Sequence, residues 1–119
     1  MEATQHLVDT IIEGIHEKKG RDVVTVQMEQ ILTAPAAYFV ICTCGSPQQV
    51  SAVCDSVEEF ARKKAGEKPA HVIGKQNGQW VAMDYGEVLV HVFLPEPRAH
   101  YDLEHLWADA KLTEIADLD

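Results

Sequence analysis

The chain has 119 residues, of which 46% are hydrophobic, and this is enough for one domain with a single apolar core. Its 19 acidic residues outnumber the 10 basic ones and give a formal net charge of −9, which argues against nonspecific binding to nucleic-acid phosphates. The three cysteines show no disulfide pattern, which favours a cytoplasmic location. The chain also contains neither an apolar run of membrane-spanning length nor a signal-peptide core, and this argues against membrane spanning and secretion.

The first part of the chain predicts a helix followed by two strands. Apolar residues recur at helical spacing over residues 7–15, and the Lys-Lys-Gly segment at 18–20 is typical of a helix C-terminus. Residues 22–28 are rich in β-branched side chains, which favour a strand. Residues 38–44 are apolar on both faces, and this pattern predicts a buried central strand.

A second helix is predicted from residue 46 onward. Ser46 is the expected N-cap, Pro47 suits the first helical position, and Gln49 completes a capping box. Apolar residues between positions 50 and 61 form one stripe, which ends at the Lys-Lys-Ala-Gly segment that closes with Gly66.

Three strands are predicted next. A weak strand at residues 71–74 precedes stronger ones at 80–85 and 88–94. Between the stronger strands, Tyr85-Gly86 is typical of a two-residue hairpin turn in which the glycine adopts a positive φ. The order of elements predicts a single α/β domain of the α+β type, with helices packed on a mixed sheet of about five strands.

The C-terminal segment is predicted to leave the sheet. Pro95 and Pro97 end the last strand, and Asp102 is the expected cap of a short helix. Residues 84–119 contain nine acidic residues against two basic ones, a surplus that indicates either a solvated surface or attraction for a basic partner. We place the domain at residues 1–110 and expect an acidic, frayed tail at residues 111–119.

The turn at Cys44-Gly45-Ser46 is the best candidate for binding a small molecule. It leads from a buried strand to a helix N-terminus, where free N–H groups attract phosphate. A nucleotidyltransferase with such a turn also needs paired carboxylates that hold magnesium, and no acid occurs between Val72 and Val81. An ordinary capped turn is the simpler interpretation, and a degenerate enzyme or nucleotide-binding protein is the alternative.

Cysteine and histidine side chains show no diagnostic catalytic or metal-binding pattern. Cys42 and Cys44 share one face of a strand and Cys54 lies on the second helix, but no second pair of ligands completes a zinc site. Buried free thiols are the simpler interpretation. His91 interrupts an apolar strand, and we interpret it as a hydrogen-bonded core or partly exposed residue rather than a catalytic base. We therefore predict no catalytic residue, cofactor or metal.

Aromatic and acidic residues in the last third form a pattern that is typical of protein interfaces. Strand alternation places Trp80 and Asp84 on the side opposite Val81 and Met83, and Trp80 is therefore predicted to face outward with little share in the core. For Trp107 the alternative role is packing of the C-terminal helix.

The segment WVAMDYGEVLVHVF at residues 80–93, followed by YDLEHLW at 101–107, resembles the ribosomal silencing factor family, also called Iojap or RsfS. The resemblance covers most of residues 7–107. It implies an α/β domain related in fold to nucleotidyltransferases but without their catalytic carboxylates and activity. It also implies a translation repressor that binds the joining face of the large ribosomal subunit, through the basic ribosomal protein numbered fourteen, and blocks association with the small subunit.

Three hypotheses therefore stand beside one another. The first is a non-enzymatic steric block of subunit joining, the second a degenerate nucleotidyltransferase, and the third a homodimer in which Trp80 or Trp107 is a dimer contact. Neither sequence-specific nucleic acid nor a membrane is an expected partner. The predicted partner-binding residues are Trp80, Asp84, Tyr101, Asp102, Leu103, Glu104 and Trp107.

Overall fold

Residues 2–118, the part of the chain that the computed structural model describes, form three α-helices and six β-strands. The elements are α1 (Glu2–Glu17), β1 (Arg21–Gln27), β2 (Tyr38–Thr43), α2 (Pro47–Phe60), β3 (His71–Ile73), β4 (Trp80–Asp84), β5 (Val88–Phe93), α3 (Pro95–Tyr101) and β6 (Lys111–Ile115). A π-helical turn extends α2, and a 3₁₀ turn, Leu103–His105, follows α3.

The strands form one sheet in the order β3-β4-β5-β2-β1-β6. Strands β2 and β5 pair in parallel, and the other neighbours pair antiparallel, so the predicted mixed sheet with packed helices is confirmed. Strand β2 is buried along nearly its whole length at the centre of the sheet, as its apolar sequence predicts. No helix among the described residues is long and apolar enough to span a membrane.

The prediction of a frayed tail at residues 111–119 was wrong for the part that forms β6. This strand pairs antiparallel with β1 over five residues, and it raises the strand number from about five to six. Four of its five residues are exposed, so its sequence lacks the apolar alternation that marks a half-buried strand. Pairing with the free edge of β1, together with the ion pair between Arg21 and Asp117 (3.0 Å), holds it in place.

The two faces of the sheet have different covers. Helices α1 and α2 cover one face, here called the helix face, and enclose the larger core. The opposite face, here called the open face, carries a smaller core cluster: Val24, Val26, Met28, Phe39, Ile41 and Phe93. Against this cluster pack Ile31 and Ala34 of the β1–β2 loop and the segment 103–110, here called the C-terminal cover, through Leu103, Trp107 and Ala110.

The junction between the first two helices depends on one glutamine and one glycine. Gln49 donates hydrogen bonds from Nε2 to the carbonyls of Lys18 and Lys19 (both 3.0 Å) and so joins the start of α2 to the end of α1. The left-handed residue that ends α1 is Lys19 (φ 64°) rather than the predicted Gly20. Gly20 is required for space, because a Cβ atom there would lie 2.5 Å from Ile15.

The β4–β5 turn and the helix after β5 both lie at positions that differ slightly from the prediction. The β4–β5 hairpin is confirmed, but its loop is Gly86-Glu87, because Tyr85 donates its N–H to Val88 across the turn (2.9 Å). Gly86 has the expected positive φ, 85°. Helix α3 begins at Pro95, since proline is favoured in the first helical turn, and Asp102 ends this helix in a left-handed conformation instead of capping the next one.

Removal of residues 111–119 tests whether β6 contributes to stability. We expect the truncated protein to melt roughly 5 °C or more below the full chain, because β1 loses a paired strand and Ile115 leaves the core edge. Thermal unfolding followed by circular dichroism measures this. An unchanged melting temperature would mean that the segment behaves as the frayed tail predicted from the sequence.

Candidate functional site

The uncovered part of the open face spans strands β3, β4 and β5. Directly paired residues of antiparallel strands point to the same side, so the register Ile73–Ala82–His91 crosses this face as one row. The side chains that point to this face from the three strands are His71, Ile73, Trp80, Ala82, Asp84, Leu89, His91 and Phe93. His91 and Phe93 are buried beneath the others. Ile73 is 68% exposed, and Tyr101 of α3, beside this face, is 50% exposed. The region is therefore an apolar sheet surface that no other described segment fully covers.

Trp80 is the centre of an aromatic stack on this face. Its ring centroid lies 5.0 Å from that of Phe93, with the two planes 23° apart, and 4.7 Å from that of Tyr101, with the two planes tilted by 41°. The predicted direction of Trp80, away from the helix face, is confirmed by the alternating burial of β4. The indole is half-buried rather than free, however, so it also belongs to the fold.

His91 is a buried hydrogen-bond acceptor beneath Trp80. Its Nδ1 accepts the indole N–H at 3.1 Å, which assigns the proton of the neutral ring to Nε2. Burial lowers the pKa of His91 to about 4, so the ring is neutral at physiological pH. Of the two structural roles predicted from the sequence, the structure shows the hydrogen-bonded core histidine rather than the partly exposed one. Its Nε2 has no hydrogen-bond partner among the described residues, and the ring meets Phe39 edge-on at 4.7 Å.

Leu103 and Trp107 belong to the C-terminal cover rather than to the Trp80 stack. Both are half-buried against the small core, and Trp107 packs edge-on against Phe39 at 5.8 Å. In the free protein the Trp107 ring therefore has the alternative role, which is structural packing. The predicted aromatic and aliphatic residues thus form two groups. Trp80 and Tyr101 contact each other, and Leu103 and Trp107 belong to the C-terminal cover beside them.

The predicted acidic residues have different surroundings. Asp84 accepts the N–H of Gly86 (2.8 Å) and stabilises the hairpin turn at one side of the open face. Asp102 is exposed and pairs with His105 (2.7 Å), and this hydrogen bond raises the pKa of the histidine. Glu104 faces inward, where both of its carboxylate oxygens accept hydrogen bonds from Arg98. Asp84 and Asp102 thus lie at the surface, while Glu104 is bonded within the molecule.

Arg98 is the residue of this region that sequence reasoning missed. It contacts Glu104, Thr43 and the carbonyl of Asp22, and so joins α3 to the C-terminal cover and to two strands. The available signal was that this arginine is one of two basic residues in an acidic third of the chain. Its partners lie 6, 55 and 76 positions away, and no local pattern connects them.

The turn at residues 44–46 is satisfied within the protein. Ser46 caps α2 by accepting the N–H of Gln49 (3.1 Å), as predicted, and the side chain of Gln49 in turn accepts the N–H of Gly45 (2.7 Å). Two of the N–H groups that would contact a phosphate therefore already have partners. This geometry favours the ordinary capped turn.

All three cysteines are buried free thiols, as predicted. The Cys42 thiol donates a hydrogen bond to the sulfur of Cys44. This hydrogen bond, together with burial, raises the pKa of Cys42. Burial raises the pKa of Cys54 to about 12. Within residues 2–118, no group of three or more His, Cys, Asp or Glu side chains is arranged to hold a metal ion.

The fold and this face define an α/β domain with a helix layer on one side and a partly uncovered aromatic sheet surface on the other. The family model described as "Ribosomal silencing factor during starvation" matches residues 1–119. The chain therefore belongs to the ribosomal silencing factor family, and the resemblance noted in the sequence is confirmed.

Individual relatives agree with this assignment. The ribosomal silencing factor RsfS of Halalkalibacterium halodurans is 34% identical over 113 residues, which cover 95% of each chain. RsfS of Bacillus subtilis is 38% identical over 103 residues, covering 87% of this chain and 83% of the relative. The crystal structure of a Chromobacterium violaceum protein has a TM-score of 0.81 at 33% identity and covers 94% of this chain and 92% of its own.

Substitution of Trp80 by alanine tests its share in the fold. The sequence predicted almost no effect on folding, but the stacked and hydrogen-bonded indole leads us to expect a loss of roughly 2 kcal/mol in the free energy of unfolding. Urea denaturation measures it, with Ile73→Ala as a control on the same face that should change stability little. Equal stability of Trp80→Ala and the parent protein would show that the stack contributes nothing to folding.

The buried His91 gives the stability a defined pH dependence. Its folded-state pKa of about 4 lies below the unfolded value near 6.5, so the unfolded chain takes up a proton first as pH falls. We expect stability to decrease between pH 6.5 and 4, by about 3 kcal/mol at most, and this contribution to level off below pH 4.

The variant His91→Gln isolates this contribution, because glutamine retains an acceptor for Trp80 but does not titrate. As pH falls from 6.5 to 4, the parent protein should lose unfolding free energy that the variant keeps. Any advantage of the parent over the variant should therefore become smaller, or the variant should become the more stable protein. A difference that stays constant from pH 7 to 4 would contradict the proposed burial of a neutral His91.

Proposed function

We propose that the protein represses translation by binding the large ribosomal subunit through the uncovered part of its open face, and that its body then blocks the small subunit. The observation that carries this proposal is the Trp80–Tyr101 stack on an incompletely covered apolar sheet, in a chain that belongs to the ribosomal silencing factor family. The chemistry is steric and requires no catalytic residue.

The composition of this surface favours a protein partner. Interfaces between proteins place aromatic and aliphatic side chains at the centre and charged groups at the rim. Ile73, Trp80 and Tyr101 supply the apolar centre, and their exposure in the free protein leaves area that a partner can bury. A rigid, hydrogen-bonded Trp80 loses little conformational entropy on binding, which favours affinity.

The charge of the surroundings favours a basic partner. Exposed acids beside this region, among them Glu87, Glu96 and Asp102, belong to the third of the chain that carries most of the acidic surplus. Such a potential accelerates association with a positively charged surface and opposes approach to bare phosphates. Together with the family resemblance, this supports the basic ribosomal protein numbered fourteen, on the joining face of the large subunit, as the docking partner.

The size of the domain suits a steric block. The domain measures 35 × 33 × 28 Å, so a copy bound on the joining face would occupy space that the small subunit needs for its contacts. Subunit contacts require groups to approach within hydrogen-bonding distance, and a body of this size prevents that locally. The helix face would then be directed away from the docking partner.

Sedimentation with purified ribosomal particles tests the proposal. We expect the protein to co-sediment with free large subunits, not with small subunits or joined ribosomes, and to reduce joining when both subunits are mixed. Binding to small subunits only, or no binding at all, would overturn the proposal. Sedimentation of the protein as a stable dimer that large subunits do not dissociate would instead support the homodimer hypothesis.

Charge reversal examines the electrostatic part of the same proposal. The double variant Glu87→Lys, Glu96→Lys should associate with large subunits several-fold more slowly, with a smaller effect on dissociation, and the effect should decrease with added salt. The matched control reverses Glu17 and Glu67, which are also exposed but lie outside the open face. Equal association rates for both double variants would show that the acidic residues near the docking site do not steer binding.

A further inference from the structure

Helix α3 and the 3₁₀ turn after it have no buried residue of their own. None of the seven residues of α3 and none of the three residues of the turn is fully buried. The apolar contacts of this segment are partial: Leu103 of the turn is half-buried against the small core, and the ring of Tyr101 lies 4.7 Å from that of Trp80. A short helix with so little buried surface is marginal in water, because its few hydrogen bonds do not offset the cost of ordering it. The segment therefore depends on a further interaction to hold it, and with it Tyr101, against the sheet.

Arg98 provides that interaction from the middle of α3. Its Nη1 donates to the carbonyl of Asp22 in β1 and to Thr43 Oγ1 at the end of β2 (2.7 Å). Its Nε and Nη2 donate to the two carboxylate oxygens of Glu104 at 3.1 and 3.0 Å. The side chains of Arg98 and Glu104 are only 13% and 16% exposed, so this two-pronged ion pair is largely shielded from water.

The ion pair also spans a reversal of the chain. Asp102, between its two members, adopts a left-handed conformation with φ 44°, which is uncommon for residues other than glycine and is adopted more often by aspartate than by most of them. On one side of this reversal lies Tyr101, which stacks on Trp80, and on the other lies the C-terminal cover with Trp107. The Arg98–Glu104 pair closes the reversal and fixes both sides relative to the sheet.

We propose that Arg98 is the positioning residue of the docking site: its guanidinium group holds α3 and the C-terminal cover on the sheet and thereby sets Tyr101 against Trp80. The inference rests on the proposed function for its consequence in binding. Arg98 itself acts through Tyr101 and need not contact the partner.

Whether replacement of Arg98 raises or lowers the affinity for large subunits distinguishes a positioning role from an electrostatic one. Arg98 is a cation within an acidic region that is proposed to meet a basic partner, so loss of its charge alone would strengthen binding. Loss of its hydrogen bonds would release Tyr101 and weaken binding. Arg98→Met should therefore reduce affinity for large subunits, by roughly tenfold, where a purely electrostatic role predicts an increase.

A spectroscopic measurement tests the positioning without any ribosome. In a Trp107→Phe background, Trp80 is the sole tryptophan of the chain, and its fluorescence reports the contact with Tyr101. Arg98→Met and Glu104→Gln should each shift Trp80 emission to longer wavelength, as the ring becomes more exposed. The control Arg62→Met removes the same charge from an exposed site on the π-helical turn after α2 and should leave the emission unchanged.

A double-mutant cycle then tests whether Arg98 acts through Tyr101. Arg98→Met and Tyr101→Ala should each weaken binding to large subunits, and Arg98→Met should add little further loss in the Tyr101→Ala background. Arg98→Lys should behave like Arg98→Met, because lysine keeps the charge but cannot form the two-pronged bond. Fully additive losses, or wild-type affinity of a folded Arg98→Met protein, would overturn the proposal.

The choice between Arg98→Met and Glu104→Gln depends on whether the Arg98→Met protein folds. If Arg98→Met does not fold, Glu104→Gln serves in its place, because it weakens the ion pair while Arg98 keeps its bonds to the strands. A folded Glu104→Gln protein with unchanged emission and unchanged affinity would then overturn the proposal. If the parent protein fails to bind large subunits, the proposed function fails, and the fluorescence result still decides whether Arg98 positions Tyr101.

Discussion

The parallel pair of β2 and β5 sets the requirements for the rest of the molecule. These two strands lie side by side at the centre of the sheet, and their side chains on both faces are largely apolar and buried. A strand that is apolar on both sides must be covered on both sides. Helices α1 and α2 meet this requirement on the helix face, while the C-terminal cover and the β1–β2 loop meet it only in part on the open face.

Incomplete cover on the open face connects folding with the proposed docking. At β4 and the neighbouring part of β5, the apolar surface is shielded by the ring of Trp80 and by Tyr101 at the end of the short helix α3. Shielding Trp80 would leave its indole N–H without water, at a cost of about 1–3 kcal/mol, unless another group accepts it. His91 supplies that acceptor from the adjacent strand, so a polar residue in an apolar strand is explained by one hydrogen bond.

The acidic third of the chain combines two uses of charge. Glu104 and Asp117 form ion pairs with arginine side chains, and Asp84 accepts a hydrogen bond from a turn N–H, so these carboxylates organise the structure. Glu87 and Glu96 are exposed and leave their charge at the surface. A net charge of −9 is therefore not one uniform patch, and counts from the sequence do not distinguish a structural carboxylate from one that faces a partner.

Sequence alone determined the elements whose side chains alternate or repeat strongly: the first two helices, five strands, the Ser46 cap and the side of β4 on which Trp80 lies. These follow from local periodicity, which is a property of neighbouring residues. Strand β6 and the cover role of Trp107 depended on tertiary structure, because each requires partners far away along the chain. The inward direction of Glu104 depended on it too, because its partner Arg98 is itself held by the distant residues Asp22 and Thr43. Alternation assigns a residue to a face of the sheet, but only the packing of distant segments decides whether that face stays open.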